Sequence, residues 1–368
     1  MDALTFRAGP RALARLRSHG LSPADVEVIP GAAGGPKALG LNGLDVALFG
    51  EWLPTSPRPR HLIGASIGAW RFAAACLPDP AAGLRELARR YAGQNYPKGT
   101  GVALVTRTVR EMLADLFAGR EASLLGHPHH RLHILAVRGR GPLAKDGRLR
   151  TPAAFGAAAV ANLAGRRHLG RFLERTLFHD PRGLPDFLAG AHGGGDLYAD
   201  ARAVRFDDFR THAVALDIDN LNEALVASAA IPMIIAAVAD IPRAPKGLYW
   251  DGGLIDYHLH LPYHRADGLV LYPHFTDRIV PGWLDKGLPW RRAHGAWLDN
   301  VLLVSPSREY LAKLPYGKLP DRKDFRRFAG DYEGRLRCWQ TTIAESERLG
   351  QEFLAFAERP DPSRVLPI

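Results

Sequence analysis

The chain has 368 residues, 46% of them hydrophobic and 23% charged, the length and composition for a sizeable core in one large α/β domain or two smaller ones. Its formal charge of +10 permits attraction to phosphate-bearing partners, but it shows neither zinc-finger spacing nor an aromatic RNA-binding signature, so nucleic acid is not an expected partner. Two cysteines, Cys76 and Cys338, are too few for a disulfide scaffold or a structural zinc site and point to a reducing, cytoplasmic compartment.

In chain order, the opening residues carry arginines but no continuous apolar run, so a signal peptide is not expected. Arg11 to His19 reads as a short amphipathic helix, with Leu13 and Leu16 on one face and Gly20 beyond its end. Val26 to Ile29 has strand character and runs into the glycine-rich turn Pro30 to Lys37. Ala38 to Phe49 follows with Leu41, Leu44 and Leu48 at helical spacing. A second apolar pair, Leu62-Ile63, ends in Gly64-Ala65-Ser66-Ile67-Gly68. The helix expected from Ala69 to Leu77 is stopped by Pro78. Leu84 to Tyr91 and Val105 to Phe117 read as amphipathic helices, and Leu132 to Val137 as a strand.

Pro152 to Phe178 joins an alanine-rich half, Ala153 to Ala164, to a basic one. There Arg166, Arg167, Arg171 and Arg175 interleave with Leu169, Phe172, Leu173 and Leu177. The spacing predicts a helix that either packs by its leucine face or lies on an anionic membrane surface. Leu184 to Asp200, with Gly193-Gly194-Gly195, reads as a loop and a candidate flap. Thr211 to Ile218 is strand-like, and the helix from Leu221 to Ala230 is closed by Pro232. The uncharged stretch Ala224 to Ala239 is too short to span a membrane and is interrupted by Ser228 and Pro232. Leu248-Tyr249-Trp250 leads to the turn Asp251-Gly252-Gly253. Strands are expected again at Gly268 to Tyr272 and Val301 to Val304, and Phe325 to Phe356 reads as one long or broken helix. Alternating strands and helices indicate an α/β fold with a mainly parallel sheet.

Three of these turns carry chemistry. The G-x-S-x-G turn presents the Ser66 hydroxyl at a helix N-terminus, where free N–H groups and the dipole favour developing negative charge. Its glycines permit a strained backbone and keep bulk away from a substrate. A serine hydroxyl is a poor nucleophile until a base takes its proton. Asp251 is the candidate base, because a strand before it and two glycines after it would hold its carboxylate at a strand end. The Pro30 to Lys37 loop offers backbone N–H groups at a helix start, a setting for an anion. It matches neither the dinucleotide fingerprint nor the P-loop, so a nucleotide site is not expected.

With Ala227-Ser228-Ala229-Ala230-Ile231-Pro232 added between the serine and aspartate turns, the four motifs in order resemble the patatin-like phospholipase family over about Val28 to Pro262. The resemblance implies a patatin-like three-layer α/β/α sandwich with a mainly parallel central sheet. Its hydrolase domain would cover residues 28–264, with residues 265–368 packed on it as an α/β extension. It implies a lipid acyl hydrolase that cleaves fatty-acyl esters of phospholipids or related lipids with neither metal nor cofactor. Ser66 would be the nucleophile that forms an acyl-enzyme, and Asp251 the general base, with no histidine between them. Backbone N–H groups of Gly34, Gly35 and Lys37 would form the oxyanion hole. The chain departs from the family pattern at Ala33 and Ala38, where glycines are usual, and Pro36 supplies no N–H.

Two other readings use the same residues. A Ser-His-Asp esterase would recruit one of His258, His274 and His294. A non-catalytic lipid-binding protein would keep the fold and lose turnover. Asp217 and Asp219 hint at a metal site, without a second carboxylate–histidine group of recognisable spacing.

Overall fold

Eleven strands share one sheet in the computed structural model, which describes residues 2–189, 209–291 and 293–368. They are β1 (Leu4–Ala8), β2 (Val26–Gly31), β3 (Arg60–Ala65), β4 (His130–Gly139), β5 (Leu173–His179), β6 (Thr211–Ala215), β7 (Val238–Ala239), β8 (Leu248–Asp251), β9 (Leu269–Pro273), β10 (Val301–Pro306) and β11 (Val365–Pro367). The spatial order is β11-β1-β10-β9-β2-β3-β4-β5-β6, with β8 on β4 and β7 on β8. From β10 to β4 the neighbours run parallel, while β1 meets β10, and β5 and β8 meet β4, in antiparallel fashion. The chain is therefore α/β with a mostly parallel central sheet. Every residue of β3, β9 and β10 is buried, so both faces of the sheet are covered there. That is why Leu62-Ile63, Leu269 to Tyr272 and Val301 to Val304 read as apolar runs rather than as alternating ones.

The same sheet draws strands from residues 28–264, from residues 265–368, and from β1 ahead of both. Helix crossings tie the C-terminal part down further. A Cβ on Gly43 would lie 2.3 Å from Ser346 O, and one on Gly350 would lie 2.5 Å from Gly43 O. Two glycines thus let the helices Asn42–Ala47 and Glu347–Glu358 cross backbone against backbone.

The basic segment differs most from expectation. Arg150–Ala164 is helical, but a 3-10 turn covers Arg166–Arg171 and Leu173–His179 is the strand β5. Leu169, Leu173 and Leu177 are four apart, which suits a helical stripe. Four is also a multiple of two, so Leu173 and Leu177 sit equally well on one face of a strand. Arg175 is buried and forms a bidentate pair with Asp256, at 2.6 and 2.8 Å, and Arg166 pairs with Asp285. The segment offers no amphipathic helix to a lipid surface.

Smaller differences follow local causes. Ala38 to Phe49 starts as a 3-10 helix over Gly35–Leu41, becomes α-helical over Asn42–Ala47 and widens to a π turn over Leu48–Trp52. The C-terminal helix is broken into Lys323–Arg327, Tyr332–Glu345 and Glu347–Glu358. Gly330 in the left-handed region starts the first break, and Asp331 caps the next helix by accepting from Gly334 N–H at 2.8 Å. Of the candidate flap, Leu184 to Ala189 belong to the described residues, with Leu184, Phe187 and Leu188 buried. The triple glycine Gly193-Gly194-Gly195 lies outside them. No helix among the described residues is long and apolar enough to cross a membrane.

Candidate active site

β4 sets the geometry. Its first half pairs in parallel with β3, Ala65 opposite Leu135. Its later part pairs in antiparallel fashion with β8, Asp251 opposite Ala136. β5 occupies one edge of β4 across both levels. β3 and β8 must therefore share the other edge, with their C-terminal ends meeting between Leu135 and Ala136. Ser66 is the first residue after β3, and Asp251 is the last of β8. Their meeting is thus a matter of strand register. Ser66 Oγ donates to Asp251 Oδ2 at 2.8 Å, and both side chains are buried. The second carboxylate oxygen accepts from Gly253 N–H at 2.7 Å.

The Ser66 backbone sits at φ 57°, ψ −131°, a conformation a residue with a Cβ rarely adopts and one that costs about 1–3 kcal/mol. Three contacts hold it. Ser66 N–H donates to Ser228 Oγ at 2.8 Å, and Ser228 Oγ–H donates to Leu135 O at 2.6 Å. Ser66 O accepts from Ala69 N–H at 3.0 Å, starting the helix Ile67–Ala75. The flanking glycines serve close approach rather than unusual dihedrals. A Cβ on Gly64 would lie 2.5 Å from Ala69 N, and one on Gly68 would lie 2.0 Å from Gly31 O.

Gly31 ends β2, so the same contact places the candidate oxyanion loop against the serine turn. Ala33 N–H is taken up by Tyr257 O at 2.9 Å, while the N–H groups of Gly34 and Gly35 have no partner among the described residues. Gly35 is at φ 57° and lines the same cavity as Ser66. Gly34 faces Phe275, and a Cβ there would lie 2.5 Å from that ring, too close to fit without a shift. Lys37 lies inside the 3-10 helix with its ammonium 4.6 Å from the centre of the Phe275 ring, outside the cavity lining. Neither Ala33 nor Ala38 has positive φ, so alanine fits both positions where the family has glycine.

The cavity at Ser66 measures about 720 Å³. Trp70, Val105, Val109, Ile231, Ile234 and Ile235 make its apolar wall. Burial raises the Asp251 pKa above the usual 3.8. The Arg322 guanidinium, the bonds from Ser66 and Gly253, and the Lys286 charge oppose that rise. A carboxylate with a raised pKa is a better proton acceptor.

His258, His274 and His294 do not line this cavity. His258 Nδ1 lies 3.0 Å from Val280 N and 3.1 Å from Arg278 O, His274 Nδ1 lies 3.0 Å from Thr276 N and 2.7 Å from Thr276 O, and His294 is exposed. Burial pushes the His274 pKa down to about 3 and that of His258 well below its ordinary value, so both imidazoles are neutral. Asp217 and Asp219 are both paired with Arg243, at 2.7 and 3.5 Å. Among the described residues no group of three or more His, Cys, Asp or Glu side chains is set to hold a metal ion.

Sequence reasoning missed two residues at this site. Ser228 was visible as a member of the A-S-x-A-x-P motif but not as the acceptor for Ser66 N–H. Arg322 lies in a basic run that resembles a solvated helix end. Compared with known proteins, the chain matches no family model, no curated protein and no solved structure.

Proposed function

We propose that this chain is a serine acyl hydrolase of the patatin-like type, acting on fatty-acyl esters of phospholipids or related lipids through a Ser66–Asp251 dyad. The observation that carries this reading is the 2.8 Å bond from Ser66 Oγ to Asp251 Oδ2 at a buried, conformationally strained serine beside an apolar cavity. Asp251 takes the Ser66 proton as Oγ attacks the ester carbonyl. The resulting oxyanion is met by the unpaired N–H groups of Gly34 and Gly35 and by the start of the helix Ile67–Ala75. Collapse expels the alcohol, which leaves with the proton from Asp251, and Ser66 holds the acyl group. Asp251 then takes a proton from water, which attacks the acyl-enzyme, releases the fatty acid and restores the serine. The apolar wall suits an acyl chain, because burying it there is favourable by about 0.8 kcal/mol per methylene.

The test is hydrolysis of a medium-chain p-nitrophenyl ester together with fluorophosphonate labelling. Ser66→Ala should lose both, and Asp251→Asn should lose turnover, each by at least about a thousandfold, with circular dichroism unchanged. Full activity in either purified variant would remove the dyad. Turnover that instead disappears in a folded His258/His274/His294 triple alanine variant would favour the histidine-based esterase.

A further inference from the structure

The cavity lining carries four cations, Lys98, Arg322, Arg326 and Arg335, that the acyl-transfer steps above do not use. Arg322 precedes the helix Lys323–Arg327, in a stretch outside the four motifs. It lines the Ser66 cavity, and it also borders the small recess that holds Asp251, Gly253 and Tyr257. A Cβ on Gly35 would lie 3.5 Å from Arg322 Nε and 3.5 Å from Tyr91 Oη, which places guanidinium and phenol beside the oxyanion loop.

Its acidic sequence neighbours are occupied elsewhere. Asp321 and Asp324 both pair with Lys318, at 3.1 and 2.7 Å, and Asp324 also accepts from Trp339 Nε1. The Arg322 guanidinium has no hydrogen bond or ion pair with any described residue, and among the described residues no carboxylate lies within ion-pair distance of the Lys37 or the Lys286 ammonium. These two lysines lie over the rings of Phe275 and Tyr257 instead. Asp251 is the carboxylate that faces Arg322 and Lys286, and its oxygens are engaged by Ser66 and Gly253.

A guanidinium with open donors in the lining of a largely apolar cavity is suited to an oxyanion, which it grips with two parallel hydrogen bonds. Lys98, Arg322, Arg326 and Arg335 line the Ser66 cavity and no carboxylate does, a balance that suits a doubly charged phosphate better than a singly charged carboxylate. We propose that Arg322 is the anion-recognition residue of the Ser66 cavity, and that the substrate is an acyl ester carrying a phosphate near the scissile bond. The bond cleaved rests on the dyad reading, whereas the anion site does not.

The full chain carrying Ser66→Ala, which leaves the cavity without a nucleophile, is titrated with octyl phosphate below its micellar concentration, with octanol and with inorganic phosphate. Binding is read by calorimetry and by the fluorescence of Trp70. Octyl phosphate should bind at least about tenfold more tightly than octanol, and adding Arg322→Gln should abolish that advantage. Arg322→Lys, which keeps the charge and loses the fork, should retain part of it. Octyl phosphate no tighter than octanol, or an equal loss for both on Arg322→Gln, overturns the site. Inorganic phosphate binding as tightly as octyl phosphate, with the same dependence on Arg322, overturns the amphiphilic substrate and leaves a free-phosphate site. Ester hydrolysis by the wild type separates the two readings. Hydrolysis without phosphate binding sinks the anion site alone, and Arg322-dependent binding without hydrolysis sinks the hydrolase alone.

Discussion

Ser228→Ala tests whether the strained serine is held where the strand register puts it. The Ser228 hydroxyl is buried and makes two bonds, one accepted from Ser66 N–H at 2.8 Å and one donated to Leu135 O at 2.6 Å. Alanine leaves the Ser66 N–H buried without a partner, at a cost of about 1–3 kcal/mol, and removes one neutral bond from Leu135, worth about 1 kcal/mol. The expected loss of stability is therefore about 2–4 kcal/mol. The strain at Ser66, about 1–3 kcal/mol, is of the same size. With the tether gone, the turn gains by relaxing toward an ordinary conformation and carrying Oγ away from Asp251. Each 1.4 kcal/mol of lost positioning is a tenfold loss of rate, so kcat should fall by about ten- to a hundredfold. Urea unfolding gives the stability, and p-nitrophenyl ester hydrolysis with active-site titration by a fluorophosphonate gives the rate per competent serine. A Ser228→Ala protein within 0.5 kcal/mol and twofold of wild type, taking ~0.5 kcal/mol as the usual span of a silent substitution, would refute the reasoning.

Three further expectations follow from the same structure. On the proposed dyad, activity needs the Asp251 carboxylate, whose pKa is raised by burial, so the acid limb of the kcat/KM profile should lie above 3.8. Arg322→Gln, by removing a charge that favours the ionised form, should move that limb to still higher pH, and a limb at or below 3.8 would contradict the desolvated base. Arg175→Ala strands the Asp256 carboxylate in the interior and should cost about 3–5 kcal/mol in urea unfolding; a cost below ~1 kcal/mol would mean the pair is not buried as described. Gly68→Ala forces a methyl to within 2.0 Å of Gly31 O, and the chain should lose about 1–3 kcal/mol or more together with its activity. An active, fully stable Gly68→Ala protein would show that the serine turn and the oxyanion loop are not packed so closely.

Local signals carried much of this architecture. Ser66 and Asp251 lie 185 residues apart, yet each sits in a turn whose own residues mark it, so both were legible without knowing that they meet. The parallel core was legible because the middles of strands covered on both faces are apolar, as at Leu62-Ile63, Leu269 to Tyr272 and Val301 to Val304. What escaped depends on distant partners. β1 and β11 are five and three residues long, and their pairing with β10 and with each other has no local signature. The strand β5 was misread because its leucine spacing satisfies both periods and only its place between β4 and β6 decides between them. Arg322 belongs to the cavity because Asp321 and Asp324 turn to Lys318, a choice that the order of charges along the chain does not reveal.

The edge of β4 shared by β3 and β8 also fixes when reactivity appears during folding. A chain that has joined β2, β3 and β4 has the strand before Ser66 in place, but the Ser228 tether and the Asp251 carboxylate come only when the helix Leu221–Ser228 and β8 arrive from the far side of the sequence. Contacts of such long range carry a large loop-closure cost and form late. Ser66 reactivity in a refolding experiment should thus report the docking of the helix Leu221–Ser228 and of β8, and lag behind any probe that follows the parallel core alone.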